Sequence, residues 1–175
     1  MFGPVNEEHT KYIFKQVVET IQHLHLIGYC HNDIKDENII INTKTRAIKL
    51  IDFGSATPME PGQTFTLFYG TKKFAAPEAI SGEYYYPEAQ EVWALGTLLY
   101  VLLFKMDPFK TDQEIVDLDI ARRVHKLRYP RHGVGHDISD DAVEAILAML
   151  EKDYQQRLSA SEILKLSFFD SVRDD

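Results

Sequence analysis

At 175 residues the chain can hold one domain with a real core, and a hydrophobic share of 45% excludes a disordered composition. A formal net charge of −8 argues against a general binder of nucleic acid or of anionic membrane, both of which want a basic face. Cys30 is the single cysteine, which excludes an internal disulfide, points to a reducing intracellular compartment and reads as buried packing.

Asn6-Glu7-Glu8 offers an N-cap and two first-turn acids to an opening helix, and Met1-Phe2-Gly3-Pro4 ahead of it has no signal-peptide pattern. Ile13, Val17, Ile21 and Leu24 then recur at helical spacing, and Gly28 ends the run. Two apolar segments, residues 39–41 and 48–51, flank a polar turn at residues 42–46 and predict a small hairpin. That hairpin would bring residues 31–38 and Asp52-Phe53-Gly54 to one edge. Residues 55–71, rich in Thr, Pro and Gly and without periodicity, predict a long functional or mobile loop. Residues 88–104 predict a helix apolar on nearly every side, stopped by Asp107-Pro108. Its apolar run is shorter than the ~20 residues a bilayer demands, so it reads as a core helix. Thr111-x-x-Glu114 and Ser159-x-x-Glu162 have capping-box spacing, and each predicts a helix start. A loop at residues 129–137, with Pro130, Gly133 and Gly135, precedes an amphipathic helix marked by Val143, Ile146, Leu147 and Leu150. Arg173-Asp174-Asp175 reads as a frayed tail. The sum is a mainly α lobe with one small β-hairpin.

The chemistry concentrates in His31-Asn32-Asp33-Ile34-Lys35-Asp36-Glu37-Asn38 and Asp52-Phe53-Gly54. Asp33 and Lys35 suit work on a hydroxyl and a phosphate, and Asn38 and Asp52 are oxygen donors of the kind a magnesium ion accepts. Three further runs follow in order: Gly70-Thr71-Lys72-Lys73-Phe74-Ala75-Ala76-Pro77-Glu78, Glu91-Val92-Trp93-Ala94-Leu95-Gly96, and Leu150-x-x-Asp153-x-x-x-Arg157.

In this order the five runs resemble those of the large C-terminal lobe of eukaryotic protein kinases, from Asn6 to Phe169. The loops look most like the calcium/calmodulin-dependent-kinase group. Asp33-Ile34-Lys35-Asp36-Glu37-Asn38 with Ile51-Asp52-Phe53-Gly54-Ser55-Ala56 is most similar to its PAS-domain and proviral-insertion-site kinases. The resemblance implies one domain over residues 1–175, a kinase C-lobe built as a helical bundle around a buried central helix. It implies ATP and Mg2+ as cofactors, with Asp33 as the base that accepts a substrate hydroxyl proton. Lys35 would neutralise the transferring phosphoryl group, and Asn38 and Asp52 would each hold a magnesium ion. Thr71 would bridge Asp33 and Lys35, which implies Ser or Thr as acceptor, and Gly70 and Thr71 would lie in the peptide-docking loop. His31 would pack structurally near Phe53, beside Gly54, and Glu78 would pair with Arg157. Glu37 would either favour a basic residue in the substrate or stand as a solvated loop acid, with Val101 weakening the first reading. His23 and His25 read as surface or partly packed residues, and Trp93 as core.

Three departures accompany the resemblance. Asn32 stands where the family usually has an Arg that grips a phosphate on the activation loop, which implies activity independent of loop phosphorylation. Glu91 stands where the family has Asp; one methylene longer, it predicts a shifted anchor for the catalytic-loop backbone. The 175 residues contain no Gly-x-Gly-x-x-Gly and no strand-borne lysine of the Val-Ala-Ile-Lys type, and Gly3 before Pro4 cannot cradle a phosphate. Phosphate positioning can be worth about 7–11 kcal/mol of barrier, so the lobe by itself is expected to have little or no activity. The implied partners are a protein substrate, ATP, and either a small lobe or another protein covering the exposed face, with no nucleic acid and no membrane insertion. Two functions stay open: a Ser/Thr kinase catalytic lobe, in the cytoplasm or nucleus, and a lobe-only pseudokinase that binds and regulates a kinase or its substrate. A purely structural helical module is the third and weakest reading.

Overall fold

The computed structural model describes residues 6–129, 137–170 and 172. The expectations for residues 1–4, for Pro130, Gly133 and Gly135, and for the tail at 173–175 lie outside the described residues. Asn6 Oδ1 accepts the His9 N–H at 3.1 Å and caps α1 (Glu7–Leu26). The α1 face of Ile13, Phe14, Val17, Val18 and Ile21 is buried, and Gly28 closes the helix at φ +76°, a conformation glycine takes at no steric cost. The chain then forms β1 (Tyr29–Cys30), β2 (Ile39–Ile41) and β3 (Ile48–Leu50), with β2 and β3 antiparallel in the register Ile39 to Leu50 and Ile41 to Ile48. This is the expected hairpin, one residue shorter at Ile51.

Residues 55–71 are more ordered than a mobile loop. Within them β4 (Thr57–Pro58) pairs antiparallel with β1, and Phe65 exchanges backbone hydrogen bonds with Tyr85 at 2.9 and 3.0 Å. Two-residue pairings are too short to show any alternation, so sequence periodicity cannot reveal them.

A short helix, α2 (Pro77–Ile80), leads into α3 (Pro87–Phe104), which is buried along nearly its whole length and forms the axis of the core. Pro87 occupies its first turn, where no amide donor is needed, and Lys105 caps its end at φ +57°, two residues before the Asp107-Pro108 stop. The chain continues through α4 (Asp112–Asp117), α5 (Ile120–Arg128), α6 (Asp140–Met149) and α7 (Ala160–Ile163), with α1 and α6 packed against α3. Gly96 sets the α3–α6 approach. A Cβ there would meet Met149 Cβ at 2.8 Å and Leu150 Cγ at 2.9 Å, so the helices could not sit this close with any larger residue.

Ser159 and Glu162 form a complete capping box. The Thr111 box is half made: Thr111 caps α4, but the Glu114 carboxylate bonds the Lys110 N–H and Arg123. Arg123, which the spacing rule ignores, draws the carboxylate away. Trp93 is 0% exposed and stacks on Phe109 at 5.5 Å, as a core residue should. The described chain is mainly helical, and none of its helices is long and apolar enough to cross a membrane.

Candidate active site

The loop between β1 and β2 turns sharply at Asn32, whose φ of +65° is uncommon for a residue with a side chain. The turn is held from both sides. The Asn32 N–H donates to Glu91 Oε1 at 2.7 Å, and Asn32 Nδ2 donates to Ser55 O at 2.9 Å and Thr57 Oγ1 at 2.8 Å. Glu91 therefore anchors the loop backbone through the Asn32 N–H. Its length is absorbed by a second contact, His25 Nε2 to Glu91 Oε2 at 2.7 Å. His25 is thus a specific partner of a carboxylate that is only 1% exposed, more than the partly packed residue the sequence suggested.

Asp33 follows, and both its oxygens are engaged. Oδ1 accepts the Thr71 N–H at 2.9 Å and the Thr71 hydroxyl at 2.6 Å. Oδ2 accepts Lys35 Nζ at 2.6 Å and Asn38 Nδ2 at 3.1 Å. Lys35 also donates to Thr71 Oγ1 at 2.9 Å, which closes a ring of three side chains. Burial by itself would raise the Asp33 carboxyl, but the hydrogen bonds from Lys35 and Thr71 outweigh it and hold the group below its ordinary range. The same Asp33 bond raises Lys35. At neutral pH the pair is therefore carboxylate and ammonium.

Asn38 is buried, and its Nδ2 is committed to the Asp33 carbonyl at 2.7 Å as well as to Oδ2. That fixes the amide, with its carbonyl oxygen as the group remaining for a cation. Asp52 lies exposed just beyond β3 at φ +61°, its Oδ1 accepting the Gly54 N–H at 3.4 Å. An amide oxygen and a carboxylate suit a hard divalent cation such as Mg2+. His31 is fully buried; its Nε2 bonds Ile51 O at 3.0 Å, and Nδ1 accepts the Asp33 N–H at 3.3 Å. Its ring meets Phe53 edge-on at 4.8 Å, so His31 is placed as scaffold. Glu37 is exposed, and a hydrogen bond from Asp36 holds its carboxyl low.

The segment that supplies Thr71 is pinned from below. Gly70 must be glycine, because a Cβ would run into Asn32 O and the Phe68 ring. Gln90, 2% exposed, accepts the Ala76 N–H at 2.7 Å and donates to Phe74 O at 3.0 Å. Glu78 Oε1 and Oε2 meet Arg157 Nη1 at 2.7 Å and Nη2 at 3.1 Å, a buried bidentate pair. Arg157 also donates to Ala89 O and stacks over Trp93 at 5.1 Å. Gln90 and the His25 contact escaped the sequence reading. The one available signal was Gln90 and Glu91 themselves, an amide and a carboxylate on a helix that is buried along nearly its whole length. The cluster lies on an open edge. A cavity of about 490 Å3 is lined by His25, Tyr86, Glu88 and Arg157 and by none of Asp33, Lys35, Asn38 or Asp52.

Residues 2–169 match the family model of the protein kinase domain, and the chain belongs to that family. It is 38% identical over 169 residues to the serine/threonine-protein kinase ppk6 of Schizosaccharomyces pombe, covering 97% of this chain and 20% of that protein. It is 38% identical over 159 residues to the serine/threonine-protein kinase PSK1 of Saccharomyces cerevisiae, covering 91% of this chain and 11% of that protein. To the PAS domain-containing serine/threonine-protein kinase of Mus musculus it is 42% identical over 113 residues, covering 65% of this chain and 8% of that protein. The chain thus spans a fifth or less of the length of these relatives.

Proposed function

We propose that this chain is the C-lobe of a Ser/Thr protein kinase, a partial kinase domain over residues 1–175 that transfers the ATP γ-phosphoryl group to a protein hydroxyl inside the cell. The observation that carries the reading is the double grip on Asp33, with Thr71 on one oxygen and Lys35 and Asn38 on the other. Held this way, the carboxylate is ionised and aimed, which is what a general base needs. It takes the proton from the substrate Ser or Thr hydroxyl as that oxygen attacks the γ-phosphorus and ADP leaves. Lys35 sets its ammonium beside the carboxylate, where charge builds on the transferring group. Asn38 and Asp52 would hold Mg2+, which neutralises phosphate charge when bound. Thr71 fixes the carboxylate and the start of the docking segment, and Gly70 lets that segment pass close to Asn32. Exposed Glu37 adds negative charge that favours a basic residue in the substrate. In the complete kinase, Asp33→Asn should lower kcat on a Ser/Thr peptide about 10²–10⁴-fold. A fall of less than about threefold would falsify the assignment of the base.

Asn32 supports activity without loop phosphorylation. Its amide already ties the loop turn to Ser55 and Thr57, the contact zone an Arg–phosphate pair would otherwise organise. Thr64→Ala with Thr66→Ala in the complete kinase should leave kcat within about twofold, and a loss beyond tenfold refutes this.

The 175-residue chain in isolation is proposed to have little or no activity, since it carries neither a glycine-rich loop nor the phosphate-binding lysine of the family. A second reading, a pseudokinase that binds a kinase or its substrate, draws on the apolar edge beside Asp52: Ile40, Ile41 and Phe53 are 52%, 41% and 49% exposed. A small lobe would cover that edge in the first reading, and a partner protein in the second. Calorimetric titration of the chain with Mg-ATP separates them. Weak binding abolished by Asp52→Ala supports the kinase reading, and no binding at millimolar nucleotide supports the second.

A further inference from the structure

The phosphoryl-transfer reading leaves one buried group without a role. Cys30 in β1 is 0% exposed, and its thiol donates to Met59 Sδ at 3.2 Å. Beside it lie His25, from the last turn of α1, and Glu91, from the second turn of α3. One ligand atom from each of His25, Cys30 and Glu91 lies within 4.8 Å of the other two, and the His25 and Glu91 atoms are 2.7 Å apart. We propose that His25, Cys30 and Glu91 form a binding site for zinc, set against the backbone anchor of the catalytic loop.

The donor chemistry selects the ion. One imidazole nitrogen, one thiolate and one carboxylate are ligands zinc accepts together, whereas Mg2+ and Ca2+ take oxygen and leave a thiol alone. The spacing is close to what is needed. Zinc with bonds of about 2.0–2.3 Å in tetrahedral geometry holds its ligand atoms about 3.4–3.6 Å apart. The 2.7 Å His25–Glu91 contact must open slightly and Cys30 Sγ must close slightly, both within a rotamer adjustment. The three donors come from three elements that the core already holds in place, so little of the chain has to be ordered on binding.

The charge balance favours a cation. Among the described residues, Glu91 is met by the Asn32 N–H, by His25 and by the Cys30 thiol, and by no Lys or Arg. Binding exchanges the thiol proton, released to solvent, for a sulfur–zinc bond, while His25 offers its Nε2 lone pair with the proton on Nδ1. The cavity of about 490 Å3 is lined by His25 together with Glu88, Arg157 and Glu162 and not by Cys30 or Glu91, so an ion would enter past the His25 ring. Glu91 would keep Oε1 on the Asn32 N–H and give Oε2 to zinc, so the ion would sit one carboxylate away from the loop that carries Asp33.

The test is a titration of the folded, metal-free full chain, first with Co2+ alone and then with Zn2+ alone. One equivalent of cobalt should release one thiol proton and give a thiolate-to-cobalt charge-transfer band, which only Cys30 can supply, and one equivalent of zinc should then erase the band with no further proton released. Cys30→Ser should abolish the band, and His25→Gln, at a partly exposed position, should weaken zinc at least about tenfold. Met59→Leu should bind zinc as the parent does. A folded chain that shows no band, a band that survives Cys30→Ser, unchanged zinc affinity in folded His25→Gln, or loss of zinc in Met59→Leu each overturns the proposed ligand set. The readout is metal binding, so it fails or succeeds independently of the phosphoryl-transfer reading.

Discussion

The Asp33 cluster and the Glu78–Arg157 pair are both built from a carboxylate and a cation, and they differ in one respect, water. The Asp33 and Lys35 side chains are 12% and 20% exposed, on an open edge. Glu78 and Arg157 are 5% and 0% exposed, between α2 and the core. In the first cluster the ions keep part of their hydration, so the pair contributes little to stability while remaining reachable by a substrate. In the second neither ion has water to fall back on, so each exists only because the other does. The fold separates a partly exposed charge cluster from a buried one, and the segment from Thr71 to Glu78 joins the two, with Gln90 pinning its middle.

Asp33→Asn, already expected to cost about 10²–10⁴-fold in kcat, tests that separation at its most extreme. Its thermal midpoint should move by less than about 4 °C, since a partly exposed pair is worth about 0–1 kcal/mol. Unfolding of this variant would break the contrast. The opposite signature is expected of Arg157→Leu. Leaving the Glu78 carboxylate buried and unpaired should destabilise by about 3–5 kcal/mol, a fall of ~6–20 °C for a chain of this size, measured by calorimetry. A loss under 1 kcal/mol would mean that water reaches Glu78 and that the two clusters are alike. Gly96→Ala sits lower on the scale. The added methyl must push α6 away from α3, for about 1–3 kcal/mol in chemical denaturation, with the m-value unchanged.

How much of this was legible in the chain follows the same division. Asp33, Lys35 and Asn38 are residues whose type and spacing mark them, Thr71 and the Glu78–Arg157 pair come from the resemblance to the kinase family, and α1, α3, α6 and the β2–β3 hairpin carry clean periodicity or turn signals. What escaped depends on distance in space. Nothing near His25 in sequence points 66 residues on to Glu91. The left-handed turn at Asn32 depends on the partners that hold it, and the pairing of β4 with β1 depends on strands too short to show a pattern. Thr111-x-x-Glu114 opens its helix as the spacing predicts, but its box stays half made because Arg123, nine residues beyond Glu114, competes for the carboxylate.

The smallest effect sharpens the contrast through pH. Asp33 is held below its ordinary pKa in the fold, so its contribution to stability is fully present above the unfolded value near ~3.9 and is lost as pH falls through the lower folded value. Lys35 runs the other way. Raised in the fold, its contribution is present below the unfolded value near ~10.4 and fades as pH climbs past it. Between those limits the pair should be flat. Chemical-denaturation stability of the parent minus that of Asp33→Asn, measured from pH 2 to 7, should therefore decline only at the acid end, below pH ~4. A decline beginning near pH 6 would overturn the assignment of this stability term to the Asp33 carboxylate.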